Sequence, residues 1–388
     1  MKLFSPKRKT LSALLGFALI AVLLAACGNS ATPPASTGNS SNGNGSTGSA
    51  NANGKGCTKV GVLLPETASS PRWETYDKPA LQKDIQAINS NLTVDLYNAQ
   101  GDPNTQRNQA DQALTKGDCI LVVAPKDADA AAAIVTKAKG MGIPVVSYDR
   151  LINSKDLNYY VSYDGVAVGK LQGQYVIDHY KDYTKNGKNV VMINGSSDDN
   201  NAHLFYQGAS ETLKPLFDNG TLKKVYDQYT PGWDPATARN EMDQAMTANQ
   251  NNIQIAYVAN DTMANSVISA LRAKQLNGKV LVTGQDATVT GIQNILLGDQ
   301  AMTVFKSYSN EAQATADLVK ALINGSDTSG IIKGQTTKTP GGADIPSVIL
   351  QPAAVDKANL KQQIIDSGYM TKDQVCSGLK NPVVTGIC

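Results

Sequence analysis

Charged forks, amides, carboxylates and tryptophans recur wherever a short apolar run of this chain ends. Leu64 leads to Pro71-Arg72-Trp73-Glu74, Ala124 to Pro125-Lys126-Asp127, Tyr148 to Asp149-Arg150 and Tyr163 to Asp164. Further on, Gly195 opens Ser196-Ser197-Asp198-Asp199-Asn200-Asn201, then come Gly232-Trp233-Asp234, Asn260-Asp261, Gln285-Asp286 and Lys306. A sugar hydroxyl both donates and accepts, so this mixture suits one. Asp149 and Asp286 accept, Arg72, Arg150 and Lys306 donate, and Asn200, Asn201 and Asn260 do both. The flat rings of Trp73 and Trp233 suit the C–H face of a pyranose. Any single polar residue here could be an ordinary loop residue or a helix cap. The same chemistry after nearly every apolar run points to a site.

The elements that must position these residues alternate. The apolar runs predict strands at Val60–Leu64, Leu92–Tyr97, Cys119–Ala124, Pro144–Tyr148 and Tyr159–Ser162. A second series covers Asn189–Ile193, Lys223–Gln228, Ile255–Ala259, Val280–Thr283 and Met302–Phe305. Between them helix-compatible spacing covers Trp73–Asn89, Thr105–Lys116, Ala128–Lys139, Gly165–Tyr180, Ala202–Phe217, Pro235–Ala248, Met263–Lys274 and Thr290–Leu297, with Asp129 and Asp261 as capping residues. Near-continuous apolar strands alternating with helices predict an α/β fold of two similar lobes, each a parallel sheet covered on both faces. Ligands of such sheets bind beyond the carboxyl ends of the strands, which is where the polar residues lie.

Composition excludes several functions. The chain has 388 residues, 41% hydrophobic and 18% charged, with 35 Lys+Arg against 33 Asp+Glu. That balance offers no basic field for nucleic acid. Two histidines, His179 and His203, are too few for a His-rich metal or catalytic centre, and no metal or cofactor is expected. Glycoside hydrolysis needs two carboxylates at a defined spacing. Asp149 and Asp286 could meet that by accident, but each has a cationic or amide neighbour that suits holding an intact sugar. No Gly-x-Ser-x-Gly elbow, His-Glu-x-x-His or phosphate loop occurs, so an enzyme is not expected.

The first 27 residues have the plan of a secretory signal: Lys2, Lys7, Arg8 and Lys9, an apolar run from Leu11, then Leu24-Ala25-Ala26-Cys27. The apolar run is shorter than the ~20 residues a spanning helix needs. Cysteine after Leu-Ala-Ala resembles the lipobox of bacterial lipoproteins, which makes Cys27 the expected lipidation site and the outer face of the cell membrane the expected location. Residues 28–56 are nearly all Ser, Gly, Asn, Thr, Ala and Pro and read as a flexible tether with a reach of roughly 30 Å. Of the remaining cysteines, Cys57 and Cys119 open the first and third predicted strands. A strand order of 2-1-3 makes those strands neighbours and predicts a Cys57–Cys119 bridge, leaving Cys376 and Cys388 to clip the C-terminal tail.

These stretches together resemble the sugar-binding proteins of ABC importers, with the type I periplasmic-binding fold, and among them the D-xylose-binding branch. The resemblance rests on Pro71-Arg72-Trp73-Glu74, Tyr148-Asp149-Arg150-Leu151-Ile152-Asn153, Ser162-Tyr163-Asp164, Asp199-Asn200-Asn201-Ala202, Gly232-Trp233-Asp234, Ala259-Asn260-Asp261, Gly284-Gln285-Asp286-Ala287 and Met302-Thr303-Val304-Phe305-Lys306. It spans about residues 58 to 370. It implies that Arg72, Trp73, Asp149 and Arg150 contact a monosaccharide from one lobe and Asn200, Asn201, Trp233, Asn260 and Asp286 from the other, with Lys306 near the hinge. The implied ligand is D-xylose or a related pentose or hexose such as glucose. The implied partners are a permease and its ATPase, with the protein a monomer. A sensor that presents sugar to a chemoreceptor or sensor kinase is the alternative. Glu66-Thr67-Ala68-Ser69-Ser70, before Arg72, and Ser307-Tyr308, after Lys306, depart from the branch's pattern. Three crossings, near Asp164, near Lys306 and around Gln335, would divide the body into lobe 1 (57–163 and 307–335) and lobe 2 (164–306 and 336–388).

Overall fold

A computed structural model describes residues 52–379 and 387–388. The expected signal segment, Cys27 and the tether up to residue 51 lie outside the described residues. No helix among the described residues is long and apolar enough to cross a membrane.

The first lobe is built on β1 (Lys59–Leu64), β2 (Thr93–Asn98), β3 (Ile120–Val123), β4 (Val145–Tyr148) and β5 (Tyr159–Tyr163). The second is built on β6 (Asn189–Asn194), β7 (Lys223–Tyr229), β8 (Ile255–Val258), β9 (Leu281–Val282) and β10 (Met302–Phe305). The expected 2-1-3 order is present in lobe 1, whose sheet runs β2-β1-β3-β4-β5, and lobe 2 repeats it as β7-β6-β8-β9. All these pairings are parallel. β3, β4 and β8 are buried along their whole length, which is why their sequences are almost unbroken apolar runs. Cys57 and Cys119 are disulfide-bonded with Cα atoms 5.5 Å apart, and so are Cys376 and Cys388.

Three further strands follow residue 335, and they move the expected lobe boundary. β11 (Thr336–Lys338) and β12 (Asp344–Leu350) join the lobe 1 sheet, where Ser347–Leu350 pair with Tyr160–Tyr163 of β5. The third crossing therefore falls at Gln351-Pro352, not around Gln335. Only β13 (Ala353–Asp356) belongs to lobe 2, antiparallel to β10. β12 is half-exposed and contains Pro346, so it lacks the apolar signature of the other strands. The first two crossings lie where β5 ends, at Tyr163-Asp164, and where β10 ends, before Ser307.

Two helix starts also differ from expectation. The helix expected from Ala128 begins at Ala132, and Asp129 does not cap it. Asp127 instead accepts from the backbone N–H groups of Asp129 and Ala130, holding this stretch as a turn. Asp261 is the first helical residue of its helix rather than the cap. Asn260 is the cap, accepting from the Met263 N–H at 2.9 Å.

Helix packing carries the second lobe's site residues into place. The helices Gly165–Tyr183 and Asn200–Asp218 cross with backbone nearly touching. A Cβ on Gly169 would lie 2.0 Å from the Phe205 carbonyl oxygen, and one on Gly208 would lie 2.1 Å from that of Val166. Only glycine fits either position. This close approach fixes the N-terminus of the second helix, which carries Asp199, Asn201 and Phe205 to the cleft.

One buried acid on lobe 1 gives the fold a pH dependence. Asp118 is fully buried and neither carboxylate oxygen has a partner among the described residues. Burial first, and then the charge of Asp95, push its carboxyl up to about 7. In the unfolded chain the group ionises near 4. The folded form thus holds its proton longer, and stability is full below about pH 4 and lost as pH rises through about 7. Thermal unfolding is expected to show a Tm that falls between pH 5 and 8, with Asp118→Asn flattening part of that fall. Identical pH profiles for the two proteins would contradict this. Asp261, also pushed up to about 7 by burial, contributes in the same direction and keeps the flattening partial.

Candidate functional site

The carboxyl ends of both sheets face one another across a cleft, and a small polar cavity lies between them. Of the ten residues expected to bind ligand, nine line it: Arg72, Trp73, Asp149, Arg150, Asn201, Trp233, Asn260, Asp286 and Lys306. Asn200 does not. It is the first residue of its helix, and a step of about 100° per residue turns it away when Asn201 faces the cavity. It lies instead at a separate interlobe opening with Asp127, Asp198 and His203. Phe205, Asp199, Gln285, Ser69 and Ser70 line the cavity and were not expected there.

Asp149 organises the site. Its backbone is left-handed, with φ of 57°. Its Oδ2 accepts from Arg72 at 2.9 Å and from Lys306 at 3.1 Å, and the Asn201 amide donates to its Oδ1 at 3.2 Å. Burial opposes the charge, but Lys306, Arg72 and Arg150 outweigh it and hold the carboxyl well below its ordinary range. Arg72 is also held by Asp77 at 2.6 Å and by Glu311 at 3.0 Å. Burial and then the nearby Asp149 push the Glu311 carboxyl well above the usual carboxylate range. Asp286, also left-handed at φ of 99°, stands 3.6 Å from Arg72 and 3.9 Å from Lys306. These are too far for direct hydrogen bonds and leave its carboxylate to the cavity.

A second set of pairs spans the lobes beside it. Arg150 bonds Glu66 of its own lobe at 2.9 Å and Asp199 of the other at 2.8 Å. Lys126 reaches Asp198 at 3.1 Å, and the Asn260 amide donates to the Ser69 carbonyl at 3.1 Å. The two lobes are thus closed on each other. Every cation in the cavity is already paired, so the site presents polar groups without a net unpaired positive charge.

The aromatic walls are held firmly. Trp233 has a left-handed backbone, φ of 55°, after Gly232. Its indole N–H donates to Asp199 at 3.1 Å, and Phe205 meets its ring edge-on at 6.3 Å. Its six-membered ring lies on Gly195, where any Cβ would come within 2.1 Å. A bulky side chain in the left-handed region is strained, and such strain is tolerated where surroundings over-determine it. Trp73 lies under the guanidinium groups of Arg72 and Arg150, 4.9 and 5.2 Å from its ring.

Residues 60–327 match the periplasmic binding protein domain. The chain belongs to the periplasmic binding protein family. It is 35% identical, over 82% of its length and 92% of the relative's, to the D-xylose-binding periplasmic protein of Escherichia coli strain K12. It is 35% identical to the multiple sugar-binding periplasmic receptor ChvE of Rhizobium radiobacter, over 81% of this chain and 92% of that one. Among solved structures, an ABC transporter solute-binding protein of Clostridium phytofermentans with bound β-D-glucose superposes with a TM-score of 0.72. It is 32% identical and is covered over 99% of its chain, with 82% of this one. The two-lobed α/β architecture is that of this family, whose members are extracytoplasmic, non-enzymatic binding components of transport systems.

The unexpected residues have several origins. Asp199 and Gln285 follow β6 and β9, Ser69 and Ser70 lie in the loop after β1, Phe205 lies in the helix Asn200–Asp218, and Asp77 and Glu311 sit on helices behind the site. The signal for Glu311 was present. Ala312, Thr315, Ala316, Val319, Leu322 and Ile323 carry helical spacing over what is the helix Tyr308–Asn324.

Proposed function

We propose that this protein captures one neutral monosaccharide, an aldopentose or aldohexose of the D-xylose and D-glucose type, between its lobes and delivers it to the permease of an ABC importer. The observation that carries this is the cavity's wall. Carboxylate, amide, guanidinium and ammonium groups from both lobes converge with two tryptophans on one interlobe space. The cations are already matched by Asp77, Asp149, Asp199 and Glu66, so an anionic sugar would find no free positive charge and would meet Asp286. The relatives named for D-xylose and for multiple sugars, and the neighbour with bound glucose, support the same ligand class. In this reading Asp149 and Asp286 accept from sugar hydroxyls, Asn201 and Asn260 accept and donate, Arg72, Arg150 and Lys306 donate, and Trp233 stacks on the C–H face with Trp73 lining the same cavity. Contacts divided between lobes favour the closed form, which a permease can distinguish from the open one.

Titration calorimetry against a panel of pentoses, hexoses and their uronic acids tests this. Saturable binding of one neutral sugar per chain, with no heat from the uronic acids, is expected. Silence from every neutral monosaccharide would refute it.

We further propose that Cys27 carries a lipid that anchors the chain to the membrane, with the Ser/Gly/Asn-rich stretch as tether and the folded body acting as a monomer. Cys27→Ser is expected to move the protein from the membrane fraction to the soluble fraction. Continued sedimentation with membranes would count against the anchor.

A further inference from the structure

The cavity's principal side chains are already bonded to protein: Asp149 to three groups, Asn260 to Ser69 and Met263, Asn201 to Asp149. Two buried groups of its wall lack a partner among the described residues, the Trp73 indole N–H and the Ser70 hydroxyl, and of these Ser70 can both donate and accept. It lines the cavity, it is 3% exposed, and its hydroxyl has no hydrogen-bond partner among the described residues. A buried hydroxyl without a partner is uncommon and costly, and calls for an explanation in a native structure. Its neighbours show why the segment is held there. The carbonyl of the preceding residue, Ser69, accepts from the Asn260 amide of the other lobe, and the N–H of Asp261, which follows Asn260, donates to the Gln285 carbonyl. The Ser69-Ser70 segment is thereby tied to the loop of the other lobe that carries Asn260, and Ser70 shares one cavity with the turn Gln285-Asp286. Gln285 is itself 3% exposed and lines the same space.

We propose that Ser70 is a specificity-determining residue, its hydroxyl completing its hydrogen bonding on one hydroxyl of the bound sugar, with Gln285 facing that hydroxyl from the second lobe. This rests on the sugar-binding reading above and adds one thing to it. The site discriminates at a position set by a neutral hydroxyl rather than by its charged groups. Serine can donate to or accept from a sugar hydroxyl, and it has nothing to offer a C–H₂ group at that place. A site that leaves a polar group unpaired when a ligand hydroxyl is missing rejects the deoxy analogue.

The test compares wild type with Ser70→Ala by calorimetry, on the best neutral sugar of the panel and on its monodeoxy series, together with the Tm of each ligand-free protein. The variant is expected to bind the parent sugar about 3- to 10-fold more weakly, the scale of one neutral hydrogen bond. For one monodeoxy analogue the two proteins are expected to bind equally, so that discrimination at that hydroxyl shrinks by the same factor. The ligand-free Tm is expected not to fall, because the removed hydroxyl had no partner. Unchanged parent affinity in Ser70→Ala overturns the inference while leaving the sugar-binding reading intact. A weaker affinity with unchanged discrimination across the whole series, or with a lowered ligand-free Tm, overturns it too, since that is the mark of a structural role. A wild type that binds no monosaccharide removes both.

Discussion

Asp149→Ala is expected to cost at least 100-fold in sugar affinity. The carboxylate holds Arg72, Lys306 and Asn201 at once, and all four residues line the cavity. Removing it leaves two buried cations short of a partner. Breaking a buried pair from one side costs about 3–5 kcal/mol, more than the pair contributes in net terms, because the stranded charge stays out of water. Part of that cost falls on the ligand-free protein, so a lower Tm is expected beside the weaker binding. Asp149→Asn, which keeps the shape and one acceptor, is expected to lose less of both. The left-handed backbone at this position suits Asn as well as Asp, so the comparison isolates charge. Asp149→Ala with wild-type affinity would show that the carboxylate neither contacts ligand nor positions the donors that do.

The second large effect is expected at the aromatic wall. Trp233→Ala is expected to weaken binding by about 1–3 kcal/mol, the scale of burying one large side chain against a partner. That corresponds to roughly 5- to 150-fold in affinity. Gly195→Ala approaches the same wall from behind. Its methyl group would sit 2.1 Å from the indole, so the ring must leave its place. Gly195 stands where β6 ends, outside any helix, and the neighbouring lobe 1 residues are untouched by the change. A binding loss comparable to that of Trp233→Ala is therefore expected without a new site being created. If Gly195→Ala bound sugar as tightly as wild type, the ring position would be irrelevant to the ligand. An unchanged isotherm for Trp233→Ala would remove the residue from the site altogether.

Most of the fold is legible in the sequence because burial writes it plainly. Apart from the two edge strands β2 and β7, β1 to β10 are short, apolar and mostly buried, and nearly every polar group that follows a strand lies at a sheet's carboxyl end. Nine of the ten expected ligand residues sit around one cavity for that reason. Asn200 was misplaced because a run of two asparagines does not say which of them a helix turns inward. The strands after residue 335 were illegible for the opposite reason. β11 is exposed, β12 is half-exposed and contains a proline, and their pairing depends on β5, nearly two hundred residues earlier in the chain. The deepest part of the site was hidden in another way. Asp77 and Glu311 never reach the cavity surface, and their service is to hold the Arg72 guanidinium in place from behind. Such residues announce themselves by geometry, not by position after a strand. Ser70 belongs with them: a serine in a loop says nothing until its hydroxyl is found buried and unbonded.

A crystal structure of the protein grown with the sugar that calorimetry selects tests the account most directly. The account predicts one intact monosaccharide between the lobes, its hydroxyls within hydrogen-bond reach of Asp149, Asn260 and Asp286 and one of its C–H faces on the Trp233 ring. Density for the sugar elsewhere on the surface, or for a cleaved or otherwise altered molecule in the cleft, would contradict it.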